Sequence, residues 1–165
     1  MNTNKIREIT LIGLGMACVF VGTMIIIPNA TGGYFNLGDG FIMLFASIVN
    51  PLGAFLIGGV TSSIVDAVSG YAPYIIPTLL TKGLEAVAIS YIMHKNKNIN
   101  TRYFAYFIGS LVMVSGYFIS EIYLNQSIGI AFVALPANIL QAFVGFVIGI
   151  VLYPTIYKLA NTQRK

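Results

Sequence analysis

Long apolar runs separated by short polar stretches organise this chain. The first run extends from about Glu8 to Ile27 and stops at Pro28, and a polar, glycine-rich stretch from Asn29 to Gly38 follows. Asp39 to Val49 forms a second, shorter run. Asn50-Pro51 breaks it, and a third run continues to about Val68, so the two read as a hairpin. Ser69-Gly70-Tyr71-Ala72-Pro73 has turn chemistry. A fourth run covers about Tyr74 to Met93, and His94 to Thr101 is the most polar stretch. A fifth covers about Arg102 to Tyr123, and Asn125-Gln126-Ser127 leads into a sixth from about Ala131 to Tyr157, with Pro136 and Pro154 near its ends. About 20 apolar residues in a helix match a hydrocarbon layer of about 30 Å, and in lipid a helix satisfies its own backbone. The pattern predicts an all-α fold: a polytopic membrane bundle of six transmembrane helices. Residues 1–165 make one domain, with the second helix short for a full crossing and no length left for a soluble domain.

Composition agrees. The 165 residues are 57% hydrophobic and 8% charged, against about 25% charged in soluble domains. The net charge of +4 follows the ends of the runs: Lys5 and Arg7 before the first, Lys95, Lys97 and Arg102 around the polar loop, and Lys158, Arg164 and Lys165 at the end. Placing the N-terminus inside puts every Lys and Arg except Lys82 on the cytoplasmic side, as the positive-inside rule requires. Both termini are therefore expected in the cytoplasm, and the charge implies no nucleic acid. The first run lacks a small-residue cleavage site and reads as a retained span. Cys18 is the single cysteine, so no disulfide or multi-cysteine metal site forms within the chain. There is no P-loop, no H-E-x-x-H, and one histidine, His94, far from the acidic residues. An enzyme is not expected, nor a cofactor or metal.

Charges at membrane depth are costly and mark special positions. Asp39 reads as a helix N-terminal acid met by free N–H groups, and Asp66 as a loop-fixing residue. Lys82 lies about 11 Å into its helix, with Glu85 three residues on and on the same face. They form either a self-neutralising pair or the floor of a pocket open to the outside. Glu121, Asn138 and Gln141 converge on the same half, for interhelical hydrogen bonds or for a ligand. Tyr34, Phe35, Tyr71, Tyr74, Tyr117 and Tyr123 form an interfacial belt or stack on a flat ring. The candidate substrate-binding set is Tyr34, Asn36, Tyr71, Tyr74, Lys82, Glu85, Tyr117, Glu121, Asn138 and Gln141. Small-residue rows recur at Gly13-x-x-x-Ala17, at Ala54, Gly58 and Ser62, and at Gly145-x-x-x-Gly149. They let helices approach closely, and the first could receive another protein.

Several blocks resemble those of the S components of energy-coupling-factor (ECF) vitamin transporters. They are Tyr34-Phe35-Asn36-Leu37-Gly38-Asp39, Asn50-Pro51-Leu52-Gly53-Ala54, Asp66-Ala67-Val68-Ser69-Gly70-Tyr71, Lys82-Gly83-Leu84-Glu85 and Pro136-Ala137-Asn138-Ile139-Leu140-Gln141. They occur in family order over nearly the whole chain. Asn50 stands where the family usually has Gly, in a turn that Asn tolerates. The resemblance implies a multi-pass subunit of a bacterial cell membrane that captures a vitamin or precursor from outside. Its expected partners are a transmembrane coupling subunit and two ATPase subunits. The family's Ala-x-x-x-Ala docking face falls on Gly13 and Ala17. The chain looks most similar to the branch associated with hydroxymethylpyrimidine, pyridoxine and riboflavin; within it, few large aromatics and no Trp favour a one-ring, pyridoxine- or hydroxymethylpyrimidine-like ligand, under Asn29 to Gly38 as a lid. The rival expectations are a stand-alone proton-coupled transporter, with Glu85 as its acid, and a ligand-free membrane scaffold.

Overall fold

A computed structural model of the protein describes residues 3–29, 31–96 and 98–162. Lys97, Arg164 and Lys165 of the charge argument lie outside the described residues, as does Ala30 of the polar stretch. Helix α1 (Thr3–Thr23) leads into a small antiparallel hairpin of β1 (Ile27–Pro28) and β2 (Tyr34–Phe35), which pairs Ile27 with Phe35 and Pro28 with Tyr34. Helix α2 (Gly38–Ala46) follows. Then α3 (Pro51–Phe55), a π-helical stretch (Leu56–Val60) and α4 (Thr61–Val68) run on as one rod. A 3₁₀ turn (Ala72–Tyr74) opens α5 (Ile75–Lys95), and α6 (Ile99–Asn125) and α7 (Ile128–Thr162) complete the chain.

Local chemistry fixes the boundaries. Asn50 caps α3 by accepting the Gly53 N–H at 2.7 Å, with Pro51 at the first helical position. Asn98 accepts the Thr101 N–H at 2.7 Å, so α6 begins at Ile99, three residues before the expected Arg102. Gln126, left-handed at φ 51°, ends α6 inside the expected Asn125–Ser127 loop. Pro136 and Pro154 both lie inside α7; neighbouring helices can satisfy the backbone groups a proline frees.

Of the six helices, five are long and apolar enough to cross a membrane, over Lys5–Thr23, Pro51–Val68, Ala72–Lys95, Ile99–Asn125 and Ile128–Lys158. α2 is the exception: nine residues rise only about 14 Å. It is the hub of the bundle instead. All its residues but Phe41 are buried, and it packs on α1, α5 and α7. It runs antiparallel to α1. Beside its start the Leu37 N–H donates to Gly22 O at 3.1 Å, and beyond its end the Asn50 Nδ2 donates to Glu8 Oε1 at 2.6 Å.

Glycines bring the surrounding helices against this hub. A methyl group at Gly58 would sit 2.5 Å from Lys82 O, and one at Gly59 would sit 2.6 Å from Leu79 O, so the π-helical stretch touches the α5 backbone. One at Gly145 would sit 2.7 Å from Asp39 Cβ, so α7 lies as close to α2. Away from the polar end the interior is apolar, with Ile42, Met43, Phe45, Ile57, Ile89 and Met93 fully or almost fully buried. The same close packing carries Asp39, Lys82 and Gln141 together from three helices.

Candidate functional site

The polar groups gather where α1, α4 and α6 end and where α2, α5 and α7 begin. At the deepest level, Asp39 in the first turn of α2 forms an ion pair with Lys82 of α5; they are 0% and 1% exposed. Gln141 Nε2 donates to the other Asp39 oxygen, Oδ2, at 2.6 Å. Glu85 Oε2 lies 3.8 Å from Lys82 Nζ, and neither Glu85 oxygen has a hydrogen-bond partner among the described residues. The close partner of Lys82 is therefore Asp39, 43 residues away, rather than Glu85 one turn along. Asp39 is a helix N-terminal acid, as expected, but its carboxylate is met by Lys82 and Gln141 side chains in the interior and not by free N–H groups alone. The physical reason is the central position of α2, whose first turn lies in the interior.

Above this cluster is a narrow cleft of about 350 Å³, counting its open mouth. Tyr34 and Asn36 wall it from the hairpin side, Asp66 from α4, Tyr74 and Thr78 from the start of α5, Tyr117 and Glu121 from α6, and Asn138 and Gln141 from α7. Asn29 and Gly33 complete the lining. The Tyr34 hydroxyl donates to Asp66 Oδ1 at 2.5 Å, and the Tyr74 hydroxyl donates to Glu121 Oε1 at 3.0 Å. Asn125 Nδ2 donates to Glu121 Oε2 at 2.7 Å, and the Thr78 and Tyr117 hydroxyls are 3.1 Å apart. Burial first, and then the Asp66 charge, push the Tyr34 phenol well above its ordinary range, so it stays a donor.

Residues 31–38 close over the cleft. The Thr31 hydroxyl lies 3.5 Å from Glu121 Oε1. The Asn36 N–H donates to Gln141 Oε1 at 2.9 Å, and Asn36 Oδ1 accepts the Gly38 N–H at 2.8 Å. Gln141 thus holds the covering segment with one end of its amide and the buried Asp39 with the other.

Of the residues singled out from sequence, Tyr34, Asn36, Tyr74, Tyr117, Glu121, Asn138 and Gln141 line the cleft. Tyr71 stands against Tyr34, with ring centroids 4.5 Å apart. Lys82 and Glu85 lie off the cleft wall; the Lys82 ammonium is 5.3 Å from the Tyr117 ring centroid, with that ring on the cleft side. The expected substrate-binding set did not contain Thr78 or Asp66, and it held Asn29 and Gly33 only as part of the lid. Asp66 is 1% exposed and does both things: it lines the cleft, and it fixes loops, through the Tyr34 hydroxyl on Oδ1 and the Tyr71 N–H on its carbonyl. A signal was present: the row Ala54, Gly58, Ser62 extends by four to Asp66, on the same helix face. Gly13 and Ala17 are exposed, and a methyl group at Gly13 would meet nothing within 4 Å.

Comparison with known proteins identifies the architecture. Residues 3–158 match the family described as ECF-type riboflavin transporter, S component. The thiamine precursor transporter HmpT of Lactococcus lactis subsp. cremoris (strain MG1363) is 30% identical over 159 residues, 94% of this chain and 91% of that protein. A Pyrococcus woesei protein, named only as an uncharacterized protein in the gap 3′ region, is 36% identical over 133 residues, 79% of this chain and 88% of the other. With the family match spanning nearly all of a helical, multi-pass membrane chain, this protein belongs to the family of ECF-type riboflavin transporter S components.

Proposed function

We propose that this chain is the substrate-binding subunit of an ECF-type importer. It captures a small vitamin or precursor in the cleft between residues 31–38 and the starts of α5 and α7. The observation that carries the reading is the covered cleft itself. Tyrosine rings from the hairpin, from the turn before α5 and from α6 surround carboxyl and amide groups under a segment anchored by the Gln141 amide and by Tyr34 on Asp66. Apolar faces with a few placed polar groups are how small-molecule sites fix a ring and its orientation. The Lactococcus lactis relative, named as a thiamine precursor transporter, supports a pyridoxine- or hydroxymethylpyrimidine-like ligand.

In this reading both termini are cytoplasmic and the cleft opens outward. Tyr34, Asn36, Tyr74, Tyr117, Glu121, Asn138 and Gln141 surround the ligand, while Lys82, Glu85 and Tyr71 shape the site from behind. The exposed Gly13 and Ala17 on α1 meet a transmembrane coupling subunit, and two ATPase subunits supply the energy. Native mass spectrometry of the purified protein tests the capture step, with a co-purifying one-ring vitamin or precursor expected. If no vitamin-class compound co-purifies or raises the melting temperature, the reading fails.

A further inference from the structure

Two carboxyl groups line the cleft, Asp66 and Glu121, and no basic side chain does. Their environments differ. Glu121 receives the Tyr74 hydroxyl on one oxygen and the Asn125 amide on the other. Asp66 receives the Tyr34 hydroxyl on Oδ1, but its Oδ2 is buried with no hydrogen-bond partner among the described residues. The Thr78 hydroxyl also approaches this carboxyl group while lying 3.1 Å from Tyr117 Oη, and a carboxylate has room for about four donors. Asn138 faces the same space, and its amide makes no hydrogen bond among the described residues.

The wider charge balance points the same way. Asp39 and Glu85 add two more carboxyl groups beneath the cleft. Lys82 is the one basic residue between Arg7 and His94, and none occurs from Tyr103 to Tyr157. Its ammonium is committed to Asp39 and stands behind the Tyr117 ring. This end of the bundle therefore holds four carboxyl groups and one ammonium. A phosphate or carboxylate brought into it would lose water and meet no free cation. A positively charged or N–H-donating group would meet an unfilled carboxylate oxygen, in a charge-assisted hydrogen bond.

We propose that Asp66 selects the ligand's charge class. The ligand is a one-ring nitrogen base that presents an exocyclic amine to Asp66 Oδ2, and it carries no phosphate or carboxylate. Asn138 reads the neighbouring polar edge of the ring. This deepens the reading of the cleft as a vitamin site and rests on it.

The test uses the full-length protein in lipid nanodiscs and isothermal titration with matched probes. These are 4-amino-5-hydroxymethyl-2-methylpyrimidine, its 4-oxo analogue, its phosphate monoester, pyridoxamine and pyridoxine. Each amine is expected to bind roughly 10- to 100-fold more tightly than its partner lacking the amine, the range set by one hydrogen bond to a charged group. The phosphate monoester is expected not to bind. In Asp66→Asn the preference for the amine should collapse towards one, while any residual binding of the oxo and hydroxyl forms is retained. Should that variant fail to fold, the probe series on the unaltered protein decides alone. Equal binding of amine and oxo forms, or tight binding of the phosphate monoester, overturns the role of Asp66 and leaves the vitamin-site reading standing. If no probe or other vitamin-class compound binds, that reading fails and the inference with it.

Discussion

Lys82 and Asp39 depend on each other because both are out of water. Removing one partner of a buried ion pair strands the other, a cost of about 3–5 kcal/mol. Lys82→Met should therefore lower the melting temperature sharply, while Lys82→Met combined with Asp39→Leu, which removes both charges, should recover much of the loss. A single variant as stable as the parent would mean that the pair contributes nothing. Gln141 differs in kind, since its amide joins the Asn36 backbone to Asp39 Oδ2. Gln141→Ala removes an acceptor from the covering segment and a donor from a buried carboxylate. The cost should be about 1–3 kcal/mol, the scale of leaving such a group unsatisfied. In stopped-flow measurements it should appear mainly as faster ligand release, the covering segment having lost an anchor. An unchanged release rate would remove Gln141 from the role of latch. A lysine inside an apolar run was visible in the sequence. Its partner was not, because the pairing across 43 residues depends on where α2 lies.

At the scale of elements, the five long helices were legible because an apolar run of that length in a charge-poor chain has one stable form in lipid. What failed to show was anything set by packing. The π-helical stretch carries Gly58 and Gly59 against the α5 backbone, and the hairpin pairs Ile27–Pro28, at the end of the first apolar run, with Tyr34–Phe35 in a stretch that reads only as polar. The start of α6 was missed because Asn98, a cap, was counted with the loop. Helix α1 offers a direct contrast between two glycine faces. Gly15 is buried, and a methyl group there would lie 2.8 Å from Ile57 Cδ1 and 2.9 Å from Phe45 Cγ. Gly15→Leu should destabilise the bundle by about 1–3 kcal/mol or more through overpacking. Gly13→Leu points away from the bundle and should leave the melting temperature and ligand affinity near those of the parent. If Gly13 meets the coupling subunit, as proposed, Gly13→Leu should still lower uptake in cells that make the whole transporter. Uptake equal to the parent would place docking elsewhere.

For the whole molecule, the proposed function requires that binding and energy supply reside in different chains. The chain carries no P-loop, and Glu85, a buried acid with no hydrogen bond among the described residues and 3.8 Å from the Lys82 ammonium, lies off the cleft wall beside the Lys82–Asp39 pair. A proton-coupled transporter needs an acid on a water path that ligand and proton share. Among the described residues, the cleft-lining carboxyl group with an oxygen that has no hydrogen-bond partner is Asp66, which the proposed ligand itself fills. The protein alone in liposomes should therefore bind its ligand but not accumulate it, with or without an imposed pH gradient. Co-reconstitution with a coupling subunit and two ATPases should give accumulation that needs ATP inside with the ATPases. Gly13→Leu should lower that accumulation while the ligand still binds. Accumulation by the chain alone under a pH gradient would reverse the assignment and make Glu85 the group to examine. Glu85→Gln would then separate the cases: it would stop gradient-driven uptake if Glu85 carries the proton, and leave ATP-driven uptake largely intact if Glu85 only borders the buried ion pair.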